Sequence, residues 1–86
     1  MVITKQTVAE KIGEYLHHGI TLEHLVDWAE NALMDGEFDE RDVDALRSVV
    51  ARLGVADVRA FGLTWEDCEQ ALARLGYAAR VDIVTA

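Results

Sequence analysis

Glu14, His17, His18 and His24 are the side chains whose types would suit a divalent metal such as zinc, because imidazole and carboxylate on adjacent helical turns can share one ion. Their spacing argues otherwise. His17 and His18 point about 100° apart on one helix, His24 falls on the next, and no cysteine pair completes a ligand set. They read as structural or exposed histidines, and no metal or other cofactor is expected. Cys68, the single cysteine, would act as a nucleophile only beside a base that depresses its pKa. Its place on an apolar face with Trp65 and Leu72 predicts a buried thiol instead. Ser48, the only serine, falls in mid-helix with no turn to expose its hydroxyl, and no glycine-rich phosphate loop follows a strand. The expectation is a protein that is not an enzyme.

The densest charge is the run Asp35, Glu37, Asp39, Glu40, Asp42 and Asp44, with Arg41 as the only base among them. An EF-hand is excluded by register. A loop starting at Asp35 puts Glu40 where glycine is required and Leu46 where the bidentate carboxylate belongs; a start at Asn31 puts Leu33 at a ligand position. The plain reading is a solvated loop followed by an acid-rich first helical turn. The functional reading is a surface for a basic partner, with Trp28 at the border of its apolar arc and Phe38 alone in the acidic loop as an aromatic anchor rimmed by carboxylates. The candidate protein-binding residues are therefore Trp28, Asp35, Glu37, Phe38, Asp39, Glu40, Asp42 and Asp44.

Five glycines, Gly19, Gly36, Gly54, Gly62 and Gly76, each follow an amphipathic stretch, as left-handed caps do, and the chain contains no proline. This punctuation predicts a mainly α fold, a compact bundle of about four short helices with a short C-terminal β-strand. Helix 1 is expected over about 5–18 with Thr4 or Thr7 as N-cap, Thr7 and Glu10 having capping-box spacing. Its face is Val8, Ile12, Tyr15 and Leu16; Gly13 inside it reads as tolerated rather than needed for close approach. Helix 2 is expected over 22–35 behind Thr21, with Leu22, Leu25, Val26, Ala29, Ala32 and Leu33 on one arc and Glu23, Asp27, Glu30 and Asn31 outside. Helix 3 is expected over 40–53 behind Asp39, facing the core with Val43, Leu46, Val49, Val50 and Leu53, and Ala56 to Phe61 adds a helical turn.

Helix 4 is expected over 65–75, burying Trp65, Cys68, Ala71, Leu72 and Leu75. Gly62-Leu63-Thr64-Trp65-Glu66 repeats the order Gly19-Ile20-Thr21-Leu22-Glu23, and both segments read as helix starts with a staple residue before the cap. The aromatics Tyr15, Phe61, Trp65 and Tyr77 read as core. Residues 79–84 change to a β-branched pattern, Arg80 to Val84, that predicts a strand, paired either with Val2 and Ile3 or with the same strand of a second subunit.

At 86 residues the chain is expected to form a single helical domain over 1–86. Its 16 acidic and 8 basic residues give a net charge of −8, which repels nucleic acid and anionic membranes. A helix-turn-helix around Gly19 fails for the same reason, since helix 2 presents carboxylates where phosphates need lysine or arginine. One cysteine, no leader-like N-terminus and no run of about 20 apolar residues predict a cytoplasmic protein that is neither exported nor membrane-spanning. The functional expectation is a small acidic, bacterial-type helical interaction module that neutralises or regulates a basic protein partner. In size and charge it is similar to bacteriocin immunity proteins and some antitoxins, a likeness of composition that carries none of their motifs. The alternative is a self-associating structural or accessory subunit, a homodimer formed through its C-terminal strand.

Overall fold

Three of the described α-helices begin where a threonine hydroxyl accepts a backbone N–H: Thr4, Thr21 and Thr64. The computed structural model describes residues 2–58 and 62–78. In order they form β1 (Val2–Ile3), α1 (Lys5–Leu16), α2 (Leu22–Asp35), β2 (Glu37–Phe38), a 3-10 turn (Glu40–Asp42), α3 (Val43–Gly54) and α4 (Trp65–Arg74). The fold is mainly α, with four α-helices among the described residues. The expected strand at 79–84 lies outside the described residues. No described helix is long and apolar enough to cross a membrane.

Thr4, not Thr7, starts α1. The Thr7 N–H donates to Thr4 Oγ1 at 3.1 Å and the Thr4 N–H to Thr7 Oγ1 at 3.4 Å, so the capping box closes one turn earlier than Thr7 and Glu10 would set it. The cause is β1, which holds the chain extended up to residue 3 and makes Thr4 the first position able to turn. The helix ends two residues early, at Leu16. There the Gly19 N–H reaches the Glu14 carbonyl at 2.7 Å and the His18 N–H the Tyr15 carbonyl at 3.1 Å, a Schellman closure with His18 at φ 61°. The left-handed residue is therefore His18 rather than Gly19.

Gly36 and Gly54 are not left-handed either; among the described residues only Gly62 and Gly76 are glycines at positive φ. Gly54 is the last residue of α3. Gly36 is extended, and its lack of a side chain serves packing: a Cβ there would stand 2.5 Å from the Ala32 carbonyl oxygen and 2.9 Å from Ile3 Cγ1. That close approach lets β1 lie beside the segment leaving α2. β1 and β2 pair in parallel, Val2 opposite Glu37 and Ile3 opposite Phe38, and the Asp39 N–H extends the ladder to the Ile3 carbonyl at 2.9 Å. Val2 and Ile3 thus take a partner inside the acidic run, where a loop was expected.

The most extensive helix packing is between α2 and α3. Leu25, Ala29 and Ala32 meet Leu46, Val49, Val50 and Leu53; Ile3, Val8 and Ile12 close one side, and Cys68, Ala71, Leu72 and Leu75 another. Burying these side chains at roughly 1.5–3 kcal/mol for each large one is the main force on the fold. Three residues expected in the core are exposed instead. Leu33, 43% exposed, lies at the rim over Gly54, because alanines 29 and 32 bring α3 to the adjacent stripe of α2. Trp65, 39% exposed, is at the first position of α4, where its indole overhangs the helix end. Tyr77 is likewise 42% exposed. Glu40–Asp42 is a separate 3-10 turn capped by Asp39, not the first turn of α3. Residues 56–58 form a turn without helix; 59–61, including Phe61, lie outside the described residues.

Candidate functional site

The acidic run divides into engaged and unengaged carboxylates. Asp39 Oδ1 accepts the Arg41 N–H at 3.1 Å, and Asp39 Oδ2 pairs with the Arg41 guanidinium at 3.2 Å. These bonds, the side-chain one first and the backbone one next, hold the Asp39 carboxyl below its ordinary pKa. Asp42 pairs with Lys5 at 3.8 Å. Asp35, Glu37, Glu40 and Asp44 are exposed and make none of the ion pairs among the described residues. Glu23, Asp27 and Glu30 on the outer side of α2 share that condition.

The two expected anchors are placed differently from a protruding pair. Phe38 belongs to β2, is half-buried against the core, and carries the Arg47 guanidinium 6.0 Å from its ring centroid. Trp28 is half-buried too, with the Lys11 ammonium 6.0 Å from its ring. The pairing of β2 with β1 draws Phe38 inward, which a loop would not have done.

The described lysines and arginines are all engaged. Besides the contacts of Lys5, Arg41 and Arg47, Lys11 also approaches Glu14 at 3.9 Å, Arg52 reaches Asp67 Oδ2 at 3.2 Å, and Arg74 donates to Ser48 Oγ at 2.6 Å. Ser48 is thus a tie between α3 and α4. Asp67 also accepts the Thr64 N–H at 2.9 Å while its own N–H donates to Thr64 Oγ1 at 3.1 Å. Those Thr64 contacts, and to a smaller degree the Arg52 charge, keep its carboxyl below the ordinary value. Cys68 next to it is fully buried, and burial pushes its thiol up to about 11, with the Asp67 charge adding to the effect. At neutral pH the sulfur carries its proton and is no nucleophile.

His17, His18 and His24 are exposed and spread over different surfaces, and no group of three or more potential ligands that could hold a metal occurs among the described residues. His18 faces a cleft of about 690 Å³ lined by Tyr15, Leu16, Ile20, Leu22, Leu63 and Trp65. His24 faces a shallower groove of about 430 Å³ with Glu23, Asp27, Trp28 and Asn31. A third depression runs from Thr21, Leu22 and Glu23 to Asp57, Val58 and Gly62. The first turn of α2 is the ridge between all three.

The apolar cleft was not foreseen. The signal for it lay in the two Gly-apolar-Thr-apolar-Glu segments, whose staple residues Ile20 and Leu63 and first helical residues Leu22 and Trp65 form opposite walls. Periodicity marks both as helix starts and is silent on their meeting. No protein-family model, curated protein or solved structure matches the chain.

Proposed function

We propose that this protein is a helical protein–protein interaction module that binds a basic partner through the outer face of α2 and the connection that follows it. One observation carries the reading: Glu23, Asp27, Glu30, Asp35, Glu37, Glu40 and Asp44 have no ion-pair partner among the described residues, whose cations are engaged elsewhere. Like charges held close raise the free energy of the unbound state, and a cationic surface laid over them relieves it. Binding of this kind steers association and weakens with salt. It suits neutralisation or regulation of a basic protein, as an immunity protein or antitoxin would perform.

The test is affinity capture at low and at moderate salt, with the wild-type chain and with an E23Q/D27N/E30Q variant. The expected result is a basic protein retained at low salt, released at moderate salt, and lost with the variant. Recovery of no basic protein at low salt overturns the proposal.

A further inference from the structure

We propose that the cleft between the α1–α2 turn and the start of α4 seats an apolar side chain of a cationic partner segment, whose lysines or arginines lie along the neighbouring carboxylates of α2. This rests on the reading of the acidic face as the surface for a basic partner, and adds the anchor that such a surface needs for specificity.

The cleft has the character of a hydrophobic seat. Tyr15, Leu16, Ile20 and Leu63 are half-buried and packed on the core beneath it, so its walls are supported. Trp65 stands over it with 39% of its surface in water, at the first position of α4. An indole so placed is a typical anchor of protein interfaces. The hydroxyls of Thr21 and Thr64 already accept the N–H groups of His24 and Asp67, each at 3.1 Å. One lone pair of each hydroxyl is thus used in capping, and the apolar lining of Leu16, Ile20, Leu22, Leu63 and Trp65 favours an apolar occupant.

Charge selects among apolar occupants. Although two helix N-termini border the cleft, Glu23 stands in the first turn of α2 and Glu66 and Asp67 in that of α4, so an anion is disfavoured. A second copy of this chain would bring one net charge of −8 against another. A segment with an apolar residue flanked by cations satisfies both surfaces: the anchor enters between Ile20 and Trp65, and the cations meet Glu23 and, across the adjoining groove, Asp27. The ridge at Thr21 to Glu23 is shared by cleft and groove, so one short helix or extended segment spans both.

The cleft and the groove contain one tryptophan each, Trp65 and Trp28, which makes the test direct. In a Trp28→Phe protein the emission of Trp65 alone reports on the cleft. Three tryptophan-free peptides serve as probes: an amphipathic leucine–lysine helix, an oligolysine of the same charge, and a leucine–glutamine helix of the same apolar content. The leucine–lysine peptide is expected to shift Trp65 emission to shorter wavelength and to bind roughly tenfold more tightly than oligolysine at equal salt. Trp65→Ala and, as an independent variant, Trp65→Lys should bring it down to the oligolysine level, with a melting curve confirming that each variant folds. Equal binding of leucine–lysine and oligolysine peptides with unmoved Trp65 emission overturns the cleft proposal and leaves the acidic surface standing. Equal binding of the leucine–glutamine peptide overturns the cationic occupant. If neither charged peptide binds at low salt, the basic-partner reading falls with it.

Discussion

The starts of α2 and α4 are written in the same residue order and are built to different strengths. In both, a threonine accepts the N–H of the third helical residue at 3.1 Å, and a glutamate occupies the second position. That third residue is His24 in α2 and Asp67 in α4. Asp67 returns a carboxylate to the Thr64 N–H and at the same time holds Arg52 of α3, so the start of α4 is tied to the body of the molecule. His24 is exposed and makes no such return, and the first turn of α2 stands as a ridge with depressions on three sides. The cap hydroxyl decides where a helix begins; the residue three positions on decides whether that beginning is fastened to anything else. The two starts differ again just ahead of each cap. Gly62 takes the left-handed conformation at φ 60°, whereas before α2 that role falls to His18 and Gly19 is freed from it.

The largest way to break the contrast is Asp67→Ala, which removes the reciprocal cap and the Arg52 pair together. It should lower stability in urea unfolding by more than loss of a cap alone, which typically costs about 1 kcal/mol. Because the folded Asp67 carboxyl titrates below its ordinary value of 3.8, its contribution is present above that pH and is lost as pH falls through the lower folded value. The gap between wild type and variant should accordingly narrow in acid. A gap that holds constant down to pH 2 would show that the charge of Asp67 contributes nothing.

Thr21→Ala, which removes the only side-chain cap of α2, should cost about 1 kcal/mol, without the acid dependence. Gly62→Ala should cost about 1 kcal/mol because an L-residue is strained at that φ. In the opposite sense, His18→Gly relieves the left-handed histidine and should gain about 0.5–1 kcal/mol. The smallest effect is expected of His24→Asp, which installs in α2 the reciprocal cap that α4 already has. A gain of about 0.5 kcal/mol, seen as a raised melting temperature, would show that the third residue accounts for the difference.

Much of the helical framework is legible in the residues. The limits of α2 follow from Thr21 and Gly36, and those of α4 from Thr64 and Gly76, because each boundary depends on hydrogen bonds reaching three to five positions along the chain. β2 is not legible. Glu37 and Phe38 are two residues in an acidic run, and they are a strand only because Val2 and Ile3 lie beside them. Leu33 and Trp65 fall on the apolar arcs of their helices, yet an arc gives an angle and not the neighbour that covers it. The acidic run was visible at once, but which of its members remain unengaged depends on Lys5 and Arg41 and on the turn that presents Asp39.

Caps, composition and periodicity act within a few residues, and from them alone follow the helical character of the four described helices, the excess of negative charge and the buried character of Cys68. Packing between segments set the rest: Val2 pairs with Glu37, Phe38 is drawn onto the core, Gly36 allows a close approach, and two similar helix starts line one apolar cleft. Those features arise from contacts between segments far apart in the chain. Local hydrogen bonding cannot encode them, because they depend on which hydrophobic surfaces meet when the helices pack.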